Sequence, residues 1–354
     1  MNQIETYFSQ KKWYNLALSI EENLEKNKLV KEILLFIENK IFPVSKSFYP
    51  TTFASVVLST IKHRNSIDLI EKAQELLRND LLETETHFLA VDFLEIYRLE
   101  FMLLNGDKCH TQVYNFLEKK LKDAHNKKMI ANLYRLSYEF YEIIGKYEEA
   151  YSYLIKYVEI CGMPDYNERN YNISDISPKF LAEKMARLSL LSKDIHNYNT
   201  FYTSPIFPYL ENKELSELYI NTKQANISFL KKTNLITKYG LSIDGLIEKA
   251  HLISLLNYFF TLKSHRVRFD EAAKLLNIPK SDVPSIFLKS LSMKIVKGYI
   301  DCEKEEMVFT LLMCKILETK DIDDMINKFD SWRSKVRNVI NTMDFGIKKL
   351  KFSK

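Results

Sequence analysis

The residues best suited to metal and acid–base chemistry are scattered along the chain. The seven histidines stand at positions 63, 87, 110, 125, 196, 251 and 265, with no His-Glu-x-x-His pair and no His-x-His sequence. A zinc site needs ligands at such short, fixed spacings. His251 lies within an apolar segment, which favours a core or helix-capping histidine over a general base. We therefore expect no metal site.

Other signatures of catalysis are also missing from the sequence. The four cysteines, at positions 109, 161, 302 and 314, form no close pair and no zinc-like spacing, so reduced, mostly buried thiols are expected. No Walker loop, Gly-rich dinucleotide fingerprint or Gly-x-Ser-x-Gly elbow occurs. Asp323 and Asp324 lie at the N-terminal end of the predicted last helix, where carboxylates favour the positive end of the helix dipole. The sequence predicts no enzyme, no cofactor and no small-molecule substrate.

Residues 267–310 read as helix, turn, helix and two-stranded hairpin, the order of a winged-helix unit. Such units often place their second helix in the DNA major groove. Phosphate binding requires cations on that helix and on the wing. Here Lys280, Lys289 and Lys294 are the cations around the second helix, and residues 303–306 of the wing are net acidic. Nucleic-acid binding is the weaker alternative, and we expect none.

The hairpin is predicted as strands over residues 296–301 and 307–310, the only convincing strand pair in the chain. A small sheet has edges whose free N–H and C=O groups can pair with a neighbouring protein. Gly298 would either let a partner backbone approach or form a β-bulge. The predicted sheet-edge contacts are Val296, Lys297, Gly298, Tyr299, Ile300, Met307, Val308 and Phe309.

The last helix, predicted over residues 321–344, carries apolar residues at alternating spacings of three and four, which is a heptad pattern. Burying its seven large side chains represents roughly 10–20 kcal/mol gross, an upper bound because the unfolded chain also buries surface. This helix therefore needs a partner, either its own chain or a bundle of helices from other chains. We name as the seam the residues Ile322, Met325, Phe329, Trp332, Val336, Val339 and Met343.

Composition predicts an all-α fold for the rest of the 354 residues. The chain has only 7 glycines and 8 prolines, too few for the many tight turns that an all-β fold would need. Amphipathic segments follow one another from the N-terminus, and none is long enough to stand alone. The clearest pair spans residues 131–160, where Gly145 and Lys146 make a turn and the small Ala150 lets two helices approach. This hairpin resembles a tetratricopeptide repeat, but no strict period recurs. A degenerate α-solenoid is predicted.

Charge and hydropathy argue against a nucleic-acid or membrane partner. The formal net charge is +5, and most of it is supplied by Lys348, Lys349, Lys351 and Lys354 at the C-terminus. The N-terminal residues 1–13 lack the pattern of a secretory signal. The most apolar run, residues 252–262, is too short to cross a bilayer. We expect an intracellular protein.

We predict four regions. Residues 1–175 form a helical-repeat arm, and residues 176–318 form a helical domain with the winged-helix unit. A polar loop predicted over residues 162–178 spans the boundary between them. Residues 319–345 form a bundle helix, and residues 346–354 form a basic tail.

This layout of helical repeats, winged helix and terminal helix resembles the PCI-domain family of scaffold subunits. Residues 287–301 are similar to the family segment VMKALSxGLIKGxID, although Lys294 replaces a Gly. Residues 190–210 look like an acidic-Ile-Tyr-Asn-Phe-Gly stretch of a proteasome lid member, with His196 in place of Tyr and Asn199 in place of Gly. The aromatic, Trp and Val register of that member's last helix matches Phe329, Trp332 and Val336.

The resemblance implies a PCI-domain subunit of the proteasome regulatory-particle lid. Such a subunit is a non-catalytic scaffold that supports degradation of ubiquitinated proteins. It would pair with adjacent PCI subunits through the winged helix and enter a multi-subunit bundle through its last helix. Its partners would be other PCI and lid subunits of a hetero-oligomeric complex, in cytoplasm and nucleus. A PCI subunit of the signalosome or of a translation initiation complex is the alternative.

Overall fold

The computed structural model describes residues 2–26, 30–64, 67–79, 84–106, 108–161, 177–195, 198–262, 264–312 and 319–352. These residues fall into two compact units, Met1–Asp175 and Ile176–Lys354. Helices dominate both units, which confirms the all-α class with a small sheet. Residues 162–176 of the predicted loop, His196, Cys314 and the predicted boundary near residue 318 lie outside the described residues.

The described part of the first unit is built from short helices whose apolar faces pack on one another. One apolar core gathers around Phe53 and a second around Leu133. A π-helical turn over Ile37–Ile41 and a 3-10 segment over Phe42–Ser47 follow α3. The helices are α1 (Asn2–Ser9), α2 (Trp13–Glu25), α3 (Val30–Phe36), α4 (Pro50–Arg64), α5 (Ile67–Arg78), α6 (Glu85–Leu104), α7 (His110–Asp123), α8 (Lys127–Ile143) and α9 (Tyr147–Cys161).

The pair α8 and α9 forms the predicted hairpin. The Asn126 side chain caps α8 by accepting hydrogen bonds from the backbone N–H groups of Lys128 and Met129. Gly145 makes the turn with a φ of 77°, a left-handed conformation that costs glycine little. Ala150 is fully buried where the two helices meet. The sequence therefore predicted this hairpin correctly.

The described part of the second unit begins with helices that pack on one long helix, α15, which has seven buried side chains. Residues 213–232 do not form one continuous helix, because α12 ends at Lys223 and α13 begins at Ile227. Ala225 between them has a φ of 55°, and Asn226 caps the new helix by accepting from Phe229 N–H. The helices are α10 (Pro178–Leu191), α11 (Asn199–Tyr202), α12 (Lys213–Lys223), α13 (Ile227–Lys232), α14 (Leu235–Lys238) and α15 (Ile243–Thr261).

The winged-helix unit follows, with a three-stranded rather than a two-stranded sheet. Its elements are β1 (Arg266–Arg268), α16 (Phe269–Leu276), α17 (Val283–Ser292), β2 (Val296–Asp301) and β3 (Glu306–Leu312). The strand order is β1-β3-β2, and both pairings are antiparallel. The sequence missed β1 because three residues are too few to show a period of two.

The apolar core of the winged-helix unit holds the sheet against α15. Phe259 of α15 stacks on Phe309 of β3 with ring centroids 4.5 Å apart and meets Phe287 of α17 edge to face at 6.1 Å. All three side chains are buried. The last helix, α18 (Thr319–Phe352), continues past the predicted end at residue 344 and through most of the predicted basic tail.

Candidate protein-docking surfaces

The central strand of the sheet is β3, so three of the predicted edge residues do not lie at an edge. Val308 is paired with Arg266 of β1 on one side and with Tyr299 of β2 on the other. The Phe309 N–H donates to the His265 carbonyl oxygen at 3.0 Å. Met307, Val308 and Phe309 are also buried. They therefore do not form the predicted sheet edge, because β1 occupies the side that a two-stranded hairpin would leave open. Contact of these three residues with a partner stays a prediction.

The outer strand β2 retains the properties that a docking edge requires. Among the described residues it is paired on one side only, with β3. Tyr299 is 53% exposed and Lys297 is exposed, whereas Val296 points into the core and is 2% exposed. Side chains of a strand alternate between faces, so the accessible face of β2 is defined by Lys297 and Tyr299. Whether this edge binds a partner stays a prediction.

Gly298 is needed for the pairing of β2 with β3 within the sheet. The pairing shifts between Lys297 and Gly298, which marks a β-bulge. A methyl group at Gly298 would overlap the carbonyl oxygen of Val308 and lie 2.9 Å from Cα of Phe309. Of the two predicted roles, this close approach favours the bulge.

The cations around the second helix of the winged unit are largely engaged by carboxylates. Lys280 donates to Glu305 at 2.5 Å and to Asp270 at 3.0 Å, and these two hydrogen bonds raise the pKa of Lys280. Lys289 forms an ion pair with Glu248 of α15. Phosphate binding would have to break these pairs, so the winged-helix unit is poorly suited to nucleic acid.

Lys294 occupies the turn after α17, where the resemblance has a glycine. Its φ is 58°, in the left-handed region, so the chain makes the same turn without glycine. Lys294 N–H donates to Leu291 O and Ile295 N–H donates to Ser290 O, both at 3.0 Å. The departure from the family pattern therefore leaves the turn intact and adds backbone strain.

The seam on α18 is exposed. Phe329 and Trp332 are 65% and 64% exposed, and only Val336 among the described seam side chains is partly covered. Met343 lies in the helix, but its side chain is outside the described residues. An apolar stripe of this length on a charged helix is the pattern of a helix that packs on other helices.

Two further residues belong to the same stripe but were not predicted from the heptad pattern. Ile326 and Ile340 are exposed and lie next to the seam, each one residue after a seam position. A template with two apolar positions per heptad omits them, whereas a template with three would include them. They widen the apolar stripe on one side.

One buried charged side chain links two helices of the second unit. Lys249 of α15 donates from Nζ to the backbone oxygens of Ser189 and Leu190 at 2.8 and 3.2 Å, and it contacts Tyr198 Oη at 3.2 Å. Burial lowers the pKa of Lys249 to about 7. Ser189 and Leu190 lie in the last turn of α10, where carbonyl groups have no helical partner. Lys249 thus satisfies a helix end.

His251 is half buried on α15, and burial lowers its pKa. Within the described residues, no group of three or more His, Cys, Asp or Glu side chains could hold a metal ion. In the same part of the chain, no helix is both long and apolar enough to cross a membrane.

Comparison with known proteins gives a consistent result. A family model described as "PSD13 N-terminal repeats" matches residues 1–220. The 26S proteasome non-ATPase regulatory subunit 13 of Dictyostelium discoideum is 18% identical over 361 residues, covering 97% of this chain and 92% of that protein.

Two further relatives span nearly the same length. The 26S proteasome non-ATPase regulatory subunit 13 homolog A of Arabidopsis thaliana is 20% identical, covering 97% of this chain and 92% of its own. The 26S proteasome regulatory subunit RPN9 of Saccharomyces cerevisiae is 18% identical, covering 97% of this chain and 91% of its own. The family model accounts for more than half of the chain, and these relatives extend the likeness through the winged helix and α18. The chain therefore belongs to the PSD13 family, the family of 26S proteasome non-ATPase regulatory subunit 13.

Proposed function

We propose that this protein is a non-catalytic scaffold subunit of the lid of the proteasome regulatory particle. In this role it supports degradation of ubiquitinated proteins in cytoplasm and nucleus by holding other lid subunits in place. The names of its relatives, all regulatory subunits of the 26S proteasome, support the assignment to that particle.

The exposed seam carries this proposal. A soluble helix that leaves Ile322, Met325, Phe329, Trp332 and Val339 accessible exposes apolar area that a stable complex would bury. At roughly 1.5–3 kcal/mol for each large side chain fully buried, the gross gain far exceeds that of any exposed ion pair on the same helix. A multi-subunit helix bundle is the partner that fits such a seam.

The outer edge of β2 gives a second, weaker contact. Pairing with a strand of an adjacent PCI subunit would continue the sheet beyond β2 and satisfy its outward backbone groups. Lys297 and Tyr299 would flank that contact. The predicted boundaries of the PCI domain, residues 176–318, remain part of the proposal.

The decisive experiment changes the seam and leaves the fold alone. A tagged chain carrying Phe329→Asp together with Trp332→Asp should lose co-purification with other lid subunits from cell lysate, because two carboxylates would have to be buried in the bundle. Circular dichroism should stay unchanged, since both side chains are exposed.

The matched control places the same charges on the opposite face of α18. Asn327→Asp together with Ser334→Asp should leave co-purification intact. If the Phe329 and Trp332 variant still retrieves lid subunits, the seam has no role in assembly. If the tagged wild-type chain retrieves signalosome or initiation-complex subunits instead, the assignment to the proteasome lid is wrong.

A further inference from the structure

A cation lies inside the apolar stripe of α18. Arg333 follows Ile326 by seven residues and precedes Ile340 by seven, and residues seven apart occupy the same side of a helix, two turns from each other. All three side chains are exposed. Any helix that covers this part of the stripe must also cover Arg333.

The stripe is bordered by further cations. Lys328 immediately precedes Phe329 and Lys335 immediately precedes Val336, which puts both along one border of the seam. Arg337, directly after Val336, lies on the other border. Asp330 is the one acidic residue in the sequence between Met325 and Met343. The surroundings of the stripe are therefore basic over its middle two heptads.

Covering these cations constrains the chemistry of the partner. Arginine does not lose its proton in proteins, so a covered guanidinium needs a carboxylate or an equivalent acceptor. Leaving a buried charge without one is strongly unfavourable. Residues that border a coiled-coil seam select partners by charge, and like charges across an interface reject them.

We propose that the seam of α18 selects helices of other chains that carry carboxylates beside their apolar side chains, with one carboxylate facing Arg333. This inference rests on the proposed function, because it assumes that helices cover the seam. It also rejects a second copy of this chain as the occupant, since two seams brought together would place Lys328, Arg333 and Lys335 against one another in either orientation. The isolated chain is then a monomer.

The test uses the full chain and three designed helices, each about four heptads long with the same leucine seam. The helices differ only in the residues beside the seam, which are Glu, Gln or Lys. At about 0.05 M salt, the Glu helix should bind at least about tenfold more tightly than the Lys helix, with the Gln helix between them. At about 0.5 M salt the ranking should shrink, because exposed charges are screened.

Two variants of equal charge locate the effect. Arg333→Gln and Asn338→Glu each lower the net charge by one, but Asn338 lies on the face of α18 opposite the stripe. Arg333→Gln should reduce the preference for the Glu helix several-fold, and Asn338→Glu should leave it unchanged. Analytical ultracentrifugation of the wild-type chain should show a monomer.

The outcomes separate the two proposals. If all three helices bind equally, or if both variants change the preference alike, selection by charge at Arg333 is wrong while the apolar seam stands. If the chain forms a dimer that Phe329→Asp abolishes, rejection of a second copy is wrong. If no helix binds at all, the seam is not a helix-docking surface, and the proposed function loses its main support as well.

Discussion

Two helices of the second unit, α15 and α18, are both rich in large apolar residues but use them differently. In α15 the apolar residues are spread around most of the helix, and Leu246, Leu255 and Phe259 are buried in the unit's own core. In α18 they lie on one stripe, and Phe329 and Trp332 remain accessible. The contrast separates side chains that fold this chain from side chains available to another.

The two helices also treat charge differently. On α15, Lys249 is buried, and its three contacts all come from its own unit. On α18, the cations Lys328, Arg333 and Lys335 are exposed. Buried charges require partners, and α15 already has them. For α18, the corresponding partners would come from another chain.

The sharpest test of this contrast removes the same side chain from each helix. Phe259→Ala should lower the free energy of unfolding by about 3–5 kcal/mol, because Phe259 is 1% exposed and packs on Phe287 and Phe309. Phe329→Ala should change it by less than about 0.5 kcal/mol, because Phe329 is 65% exposed. Urea denaturation of the full chain, followed by circular dichroism, measures both.

The two variants should have the opposite ranking in their effect on binding of the designed helix. Phe329→Ala should weaken association with the Glu helix described above, whereas Phe259→Ala should leave it unchanged under conditions where the chain is folded. A loss of several kcal/mol of stability in Phe329→Ala would mean that α18 packs on its own chain, and the comparison would fail.

The sequence was sufficient to predict elements whose signal is local. The heptad spacing of α18, the apolar character of α15 and the turn at Gly145 each follow from residues close together in the chain. Helix α4, by contrast, has only a weak local signal. Its sequence mixes Thr, Ser, Val and Ala on all sides, so it shows little contrast between a polar and an apolar face.

The parts that could not be predicted depend on contacts between distant residues. The interior position of β3 results from pairing with Arg266–Arg268, about forty residues earlier, and nothing in the β3 sequence specifies that neighbour. The helix break at Ala225 likewise shows no Gly or Pro, the usual signals of a break. The same limit applies to the candidate site. Three of its eight predicted edge residues lie on the central strand β3.

A smaller effect should come from the buried charge on α15. The pKa of Lys249 is about 7 in the folded chain against an ordinary value of 10.5. Between these values the unfolded chain binds more protons than the folded one, so stability should rise with pH, by up to about 1.4 kcal/mol per pH unit. Below pH 7 both states are protonated, and this dependence should vanish.

The measurement compares urea unfolding of wild type and Lys249→Met at several values between pH 6 and pH 9. Subtracting the variant removes the contribution of groups that titrate independently of Lys249. The charge of Asp194, which partly opposes the effect of burial on the pKa of Lys249, is present in both proteins. The difference should favour wild type increasingly as pH rises. A difference that is constant with pH would mean that Lys249 stays charged, held by its three acceptors.

The smallest effect tests whether the core around α15 can be strengthened without touching α18. Lys294 holds a left-handed φ of 58° at the end of α17, a conformation that glycine adopts at less cost. Lys294→Gly should therefore raise the free energy of unfolding by about 0.5–1 kcal/mol, less the extra entropy that glycine gives the unfolded chain.

Lys294→Ala is the control, because it removes the charged side chain and keeps the strain, and it should give no gain. Neither variant should alter binding of the designed helices to the seam. Equal stabilisation by Gly and Ala would assign the effect to the loss of the lysine charge, and a change in helix binding would show that the core and the seam are coupled.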